Sequence, residues 1–159
     1  MTPNDRKREG KKMNDSYKKL TLALAINGVV MFFLTYALIA QLDHFYVNIN
    51  RVYMALMMVA PMVVVMVLVM RSMYPNKALN YALVAGSALA FVLIFSLARM
   101  QVPVGNEQFL RSMIPHHSSA ILMCEQSTIT DPEIVSLCEQ IVEAQREEIA
   151  QMKQILTRY

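Results

Sequence analysis

The stretch MIPHHSSAILMC, residues 113–124, decides how this sequence is interpreted. It sets two of the three histidines of the chain side by side, among methionine and cysteine sulfurs. Histidine, methionine and cysteine together form the ligand set of a soft metal ion, copper above all. Three long apolar segments precede this stretch, and one further helical segment follows it. We therefore predict an all-α protein with a membrane part and a helical hairpin.

The three apolar segments are predicted to be transmembrane helices over residues 20–42, 53–70 and 78–98. A helix needs roughly 20 apolar residues to cross the hydrocarbon layer, and these segments are close to that length. A cleaved signal peptide is the alternative for the first segment. Its apolar run is longer than the usual signal peptide core, and no clear small-x-small cleavage site follows it.

Charge is distributed unevenly along the chain and predicts its orientation. The net charge is +4 over residues 1–19, +3 over 20–102 and −4 over 103–159. Because Lys and Arg near span ends favour the cytoplasm, we expect a cytoplasmic N-terminus. Three crossings then place the C-terminus outside, as in a multi-pass protein of the bacterial inner membrane. The basic residues of the short first segment are accompanied by a single aromatic residue, Tyr17, which argues against nucleic-acid binding.

These observations predict three domains: a basic cytoplasmic tail, a three-span membrane domain and an extracytoplasmic helical hairpin. Their predicted ranges are 1–19, 20–102 and 103–159. Within the last range we expect helices over about 107–127 and 132–157. Asp131 followed by Pro132 is a strong signal for the start of the second helix, because proline suits the first helical position.

Each helix of the predicted hairpin has one face that combines apolar and metal-competent side chains, judged from residues three and four positions apart. On the second helix these residues are Cys138, Ile141, Gln145, Glu148, Met152 and Ile155. On the first helix they are Met113, His116, His117, Ala120 and Cys124. We expect both faces to be buried against each other.

Antiparallel pairing about the turn near residue 131 brings the two faces together. Cys124 and Cys138 are each seven residues from that turn and should lie level. A disulfide, two buried thiols and copper ligation remain open for them. The same pairing predicts a metal site. Gln145 should lie near His117 and contact the ligands without binding the ion itself. The predicted members of the site are Met113, His116, His117, Glu148 and Met152.

Two sequence patterns carry a resemblance to a known family. They are F-L-x-x-M-I-P-H-H-x-x-A-x-x-M at residues 109–123 and I-x-x-x-Q-x-x-E-I-x-x-M at residues 141–152. Residues 107–157 resemble a bacterial domain family of unknown function with a ferritin-like fold, which includes the periplasmic copper-binding protein CopM. The resemblance implies copper ligation by Met113, His116, His117, Met123 and Met152.

The resemblance also predicts an oligomer. Soluble members of that family tend to have enough helices for a four-helix bundle, whereas this chain has one hairpin. Because two helices alone cannot bury their shared seam, we expect two copies to pair through the hairpin.

Structural interpretations compete with each metal-binding one. His116 and His117 can be core or interfacial histidines that hydrogen-bond to Glu148 and Gln145.

A second motif is a methionine at every fourth position of the second predicted span. These methionines would pass Cu(I) between their thioethers or serve as flexible apolar filler. Its members are Met54, Met58, Met62, Met66 and Met70. His44, next to Asp43, is expected to be a solvated loop residue.

Our preferred hypothesis is a methionine-rich membrane protein that binds copper, with Cu(I) favoured, in copper tolerance or trafficking. A copper donor or acceptor protein would then be its partner, besides the lipid bilayer and a second copy. The alternative is a membrane-anchored oligomerisation or interaction module without metal. We do not expect an enzyme, because the sequence has no Glu-x-x-His pair, nucleophile–base arrangement or Gly-rich phosphate loop.

Overall fold

The computed structural model describes residues 3–159, with side chains for residue 11 and residues 14–159. It contains five α-helices and two short 3₁₀ turns, and residues 3–159 contain no strand. The helices are α1 (Pro3–Leu34), α2 (Ile49–Val69), α3 (Lys77–Arg99), α4 (Asn106–Gln126) and α5 (Pro132–Leu156). The prediction of an all-helical protein is confirmed.

Three of these helices are long and apolar enough to cross a membrane: α1 over Asn14–Leu34, and all of α2 and α3. They indicate a membrane protein. The first differs from the predicted span 20–42 at both ends, since α1 begins at Pro3 and ends at Leu34. The chain turns just beyond Leu34, where the Tyr36 hydroxyl donates to the Tyr46 carbonyl at 2.8 Å and holds the turn in place.

The chain divides into two compact units. The membrane unit comprises the chain up to Phe32 together with Tyr53–Met100, and the hairpin unit comprises Phe33–Val52 together with Gln101–Tyr159. The sequence assigned residues 33–52 to the membrane domain. In the structure Ala40 and Tyr46 of this stretch pack against the apolar core of the hairpin. We therefore call Phe33–Val52 the covering segment.

The hairpin is built as its turn signals predict, but its buried faces differ from the predicted ones. Asp131 caps α5, since its Oδ1 accepts from the backbone N–H of Glu133 and Ile134 at 2.9 and 3.3 Å. The core consists of Leu110, Ile114, Ile121, Ile149 and Met152. Of the predicted faces, Met152 belongs to this core and Met113 and Ile155 pack against it, whereas the three isoleucines were not predicted. Because burying an imidazole or carboxylate costs free energy that burying isoleucine does not, the isoleucines occupy the centre.

Pro115 lies inside α4 without ending it. Proline has no N–H, so the carbonyl of Arg111, one turn earlier, loses its helical partner. The side-chain amide of Asn48, which is 2% exposed, donates to that carbonyl at 3.2 Å. The Asn48 Oδ1 atom also accepts from the Arg51 N–H at 3.0 Å, within the first turn of α2. The buried Asn48 side chain thus supplies the hydrogen bond that the Arg111 carbonyl loses to Pro115, and it also caps α2.

Candidate functional site

The candidate site lies along the edge where α4 meets α5. The Nδ1 atom of His117 lies 2.9 Å from Oε2 of Glu148. The antiparallel pairing predicted from the sequence places His117 near Gln145. In the structure His117 contacts Glu148, one helical turn further along α5. The reason is the core, because Ile114, Ile149 and their neighbours set the register of the two helices.

Two thioethers flank this contact, one on each helix. Met152 is 8% exposed within the apolar core, and Met113 packs against the same cluster. Met113 lies four residues before His117, and Met152 lies four residues after Glu148, so in antiparallel helices both occupy the turn next to the contact. We call Met113, His117, Glu148 and Met152 the imidazole–thioether patch.

The environment of His117 keeps its ring neutral. Burial lowers the pKa of His117 and His116 lowers it further, while the Glu148 carboxylate opposes this change. Neutral imidazole is the form that binds metal ions. The Nδ1 atom is buried, and despite the short distance its contact with Glu148 lacks the geometry of a hydrogen bond. Because the Glu148 carboxylate lies against Nδ1, Nε2 is the ring nitrogen that is left to bind a ligand.

His116 and Met123 lie apart from the patch. His116 is exposed, and the Met123 side chain is 64% exposed on the outward side of α4. The rings of His116 and His117 are 5.8 Å apart between centroids and tilted by 60°. Neighbouring helical residues point about 100° apart, which separates the two histidines. The five residues that the resemblance implies as copper ligands therefore do not share one face.

The two cysteines are joined to each other. Cys124 and Cys138 form a disulfide with a Cα–Cα distance of 5.4 Å. Of the three alternatives left open by the sequence, the structure thus contains the disulfide. Neither sulfur is a thiolate in this state, so neither is available as a metal ligand.

The composition of the patch restricts the kind of ion that it suits. Among the side chains of residue 11 and residues 14–159, no group of three or more His, Cys, Asp or Glu side chains is arranged to hold a metal ion. The patch offers one imidazole and one carboxylate, and its other two groups are thioethers. Hard ions prefer oxygen ligands, whereas thioethers suit Cu(I).

The methionine series of the second span winds around its helix. Met54, Met58 and Met70 are 46%, 41% and 36% exposed, while Met62 and Met66 are half-buried. Residues four apart are offset by about 40° on a helix, which explains the changing exposure. Met66 packs against an apolar cluster of the membrane unit, as a filler residue would. Conduction of copper along the series remains a hypothesis.

Sequence reasoning missed His44, which is 6% exposed rather than solvated. Its Nδ1 atom lies 2.8 Å from the hydroxyl of Ser118, and that hydroxyl accepts from the Ala40 N–H at 2.7 Å. Lys153 of α5 donates to the neighbouring Asp43 at 2.5 Å. These contacts fasten the covering segment to both helices of the hairpin. The only sequence signal was a serine within the otherwise apolar inner face of α4.

Comparison with known proteins connects the chain to a family. Residues 93–156, which include all of α4 and α5, match the family described as "Domain of unknown function (DUF305)". An uncharacterized protein, L153 of Acanthamoeba polyphaga mimivirus, is 33% identical over 111 residues, covering 69% of this chain and 71% of the relative. No solved structure matches the chain significantly.

Proposed function

We propose that this chain, which belongs to the DUF305 family, is a membrane protein that binds copper as Cu(I) through its hairpin. The observation that carries the proposal is the imidazole–thioether patch: a neutral His117 with Glu148 at its Nδ1 atom, and Met113 and Met152 on the adjacent turn of the two helices. The resemblance to a family with a copper-binding member points to three of the same residues, Met113, His117 and Met152.

Within this proposal His117, Met113 and Met152 would hold the ion, and Glu148 would orient the imidazole. A metal-ligating histidine usually directs its second ring nitrogen to a carboxylate or carbonyl, which fixes the ring. Glu148 lies 2.9 Å from Nδ1 and suits that role. These soft ligands would bind Cu(I) reversibly, so that the protein could sequester copper or pass it on.

The proposed role is copper tolerance or trafficking at the bacterial inner membrane, with the hairpin outside the cytoplasm. Support for this orientation comes from the basic residues of the first segment and of the 71–77 turn. His116 and Met123 face solvent. We assign them to the encounter with a copper donor or acceptor protein rather than to tight binding.

The test is an anaerobic Cu(I) titration of the full-length protein in detergent against a chromophoric Cu(I) chelator. The covering segment packs on the hairpin core, so the whole chain is the appropriate sample. The wild type is compared with Met113→Leu plus Met152→Leu, which removes both thioethers and keeps apolar volume. Met100→Leu is the matched control, because Met100 is 73% exposed and lies outside the hairpin unit.

Binding of one Cu(I) that the double variant loses and the control retains would support the proposal. Equal affinity in all three proteins, or no binding by the wild type, would overturn it. Circular dichroism of each variant distinguishes a lost site from a lost fold.

A second candidate function is an oligomerisation module that needs no metal. The observation that favours it is an exposed apolar seam on α5, where Ile134 and Leu137 are 47% and 54% exposed and Ile141 follows four residues later. This 3–4 spacing is typical of a helix that packs against a partner helix. The test is native mass spectrometry of the metal-free protein. A dimer that Leu137→Asn dissociates would favour this candidate, and a wild-type monomer would exclude it.

A further inference from the structure

A groove lies where α2 leads into α3, and it combines apolar walls with two basic side chains. Its volume is about 470 Å³, and Arg71 and Lys77 are among its lining residues. Both basic residues belong to the short connection between two helices that are apolar enough to cross a membrane. The groove therefore lies where lipid headgroups meet the ends of two spanning helices.

The basic side chains of this groove have no acidic partner within the part of the chain whose side chains the structure describes. Arg71 and Lys77 are exposed, and neither has a salt bridge among the side chains that the structure describes. The sequence has no acidic residue between Asp43 and Glu107. Helix α3 begins at Lys77, so the positive end of its dipole adds to the same field. An anion at this position would meet two cations and a helix N-terminus.

The walls of the groove suit a hydrocarbon chain. Leu68 of α2 and Tyr81 of α3 are 60% and 76% exposed, and both line the groove. Val67 and Tyr74 also line it and are 2% and 4% exposed, because they belong to the packed interior of the membrane unit. Apolar side chains thus extend from the basic end of the groove along the two helices.

The groove is held in shape by hydrogen bonds. Asn80, which lines it, accepts from the Tyr17 hydroxyl at 2.9 Å and donates to the Tyr74 carbonyl at 2.7 Å. The rings of Tyr17 and Tyr74 also pack, with centroids 5.3 Å apart. A preformed groove loses little conformational entropy when a ligand binds.

We propose that this groove is a binding site for an anionic phospholipid, such as phosphatidylglycerol. Arg71 and Lys77 would bind its phosphate, and the faces of α2 and α3 beside Leu68 would accommodate an acyl chain. Basic pockets between spanning helices recognise anionic headgroups in this way. A zwitterionic lipid brings its own ammonium group and gains less from the two cations. Free phosphate gains nothing from the apolar walls. The inference is independent of copper binding.

The experiment uses the full-length protein, incubated in detergent with equal amounts of phosphatidylglycerol and phosphatidylcholine and analysed by native mass spectrometry. The test variant is Arg71→Gln plus Lys77→Gln. The matched control is Arg99→Gln, because Arg99 is an exposed basic residue at the opposite end of α3. Each basic residue near an anionic lipid surface contributes about fivefold in binding, so the double variant should lose roughly 25-fold.

We expect the wild type and Arg99→Gln to retain phosphatidylglycerol preferentially and the double variant to lose this preference. Equal retention of the two lipids by the wild type would overturn the proposal, as would an equal loss in the Arg99→Gln control. Displacement of the lipid by millimolar inorganic phosphate would show that the anion alone is recognised, which also contradicts a lipid site. If the double variant fails to fold, the wild type in rising salt provides the test, because screening should abolish the preference.

Discussion

His44 and His117 have similar surroundings, but their rings differ in hydrogen bonding. Burial lowers the pKa of both rings, and each has a carboxylate nearby, at 3.6 Å in Asp43 and at 2.9 Å in Glu148. His44 uses its Nδ1 atom to hold Ser118, whereas the Nδ1 atom of His117 has no well-formed hydrogen bond. His44 is therefore part of the fold, and we propose that His117 binds the ligand.

The comparison teaches that burial and a neighbouring carboxylate do not identify a metal-binding histidine. The discriminating features are the hydrogen bonds of the ring and the atoms next to it. His44 is fixed by a serine hydroxyl, whereas His117 lies against Glu148, one helical turn from Met113 and Met152 in sequence spacing. Substitutions in the two regions should consequently affect different properties of the protein.

The largest effect is expected for His117→Ala, which removes the proposed imidazole ligand. Loss of an outer partner alone reduces metal affinity roughly 10–100-fold, so loss of the ligand itself should exceed about 100-fold. Thermal unfolding should change little. The measurement is the Cu(I) titration, and its matched control is His116→Ala on the exposed side of α4. Equal affinities of the two variants would contradict the distinction between the histidines.

Glu148→Gln should weaken Cu(I) binding by roughly 10–100-fold while leaving the fold intact, because the carboxylate orients the His117 ring. The adjacent Glu147→Gln is the control, since Glu147 is equally exposed to solvent but has no contact with His117 in the structure. If both substitutions changed the affinity alike, the effect would come from net charge and not from orientation.

His44→Ala should destabilise the protein and leave Cu(I) affinity within about threefold of the wild type. Removing the ring takes away a buried partner of Ser118, and an unsatisfied buried group costs roughly 1–3 kcal/mol. Ser118→Ala should act similarly, because the Ala40 N–H then loses its acceptor. Thermal unfolding followed by circular dichroism measures the change. Unchanged unfolding temperatures in both variants would show that the covering segment is not held by this contact.

The smallest expected effect is the pH dependence of stability. The pKa values of His44 and His117 are lowered in the folded state, so between their folded values and about 6.5 the unfolded chain binds more protons. The free energy of unfolding should therefore fall as the pH decreases below about 6.5.

The unfolding temperature should accordingly drop by a few degrees between pH 7.5 and pH 5.5, and less so in His44→Ala. The groups facing His44 are Ser118, Asp43 and Lys153. Lys153 lowers the pKa of Asp43, so that carboxylate titrates well below this interval. A rise in stability on acidification would contradict the assignment of both rings as neutral.

The general architecture followed from the sequence because hydrophobic length and turn residues are local signals. The three apolar helices and the start of α5 at Asp131 are examples. The central isoleucines of the hairpin were not predicted, because spacing alone cannot separate a central position such as Ile114 from an edge position such as Met113. The role of His44 was not predicted, because its partner Ser118 lies 74 residues away and a serine on an apolar helix face does not say which group it will bind.

The covering segment makes the hairpin unit discontinuous in the chain, and this has a consequence for biosynthesis. Ala40 is made long before Ser118, the residue that binds its N–H, and the separation is 78 residues. Contacts so distant in sequence form late, because a long loop must first be closed. Until α4 has been made, His44 therefore lacks Ser118 and Asn48 lacks the Arg111 carbonyl as partners. A nascent chain truncated before α4 would display that segment uncovered, as a substrate for membrane quality-control proteases.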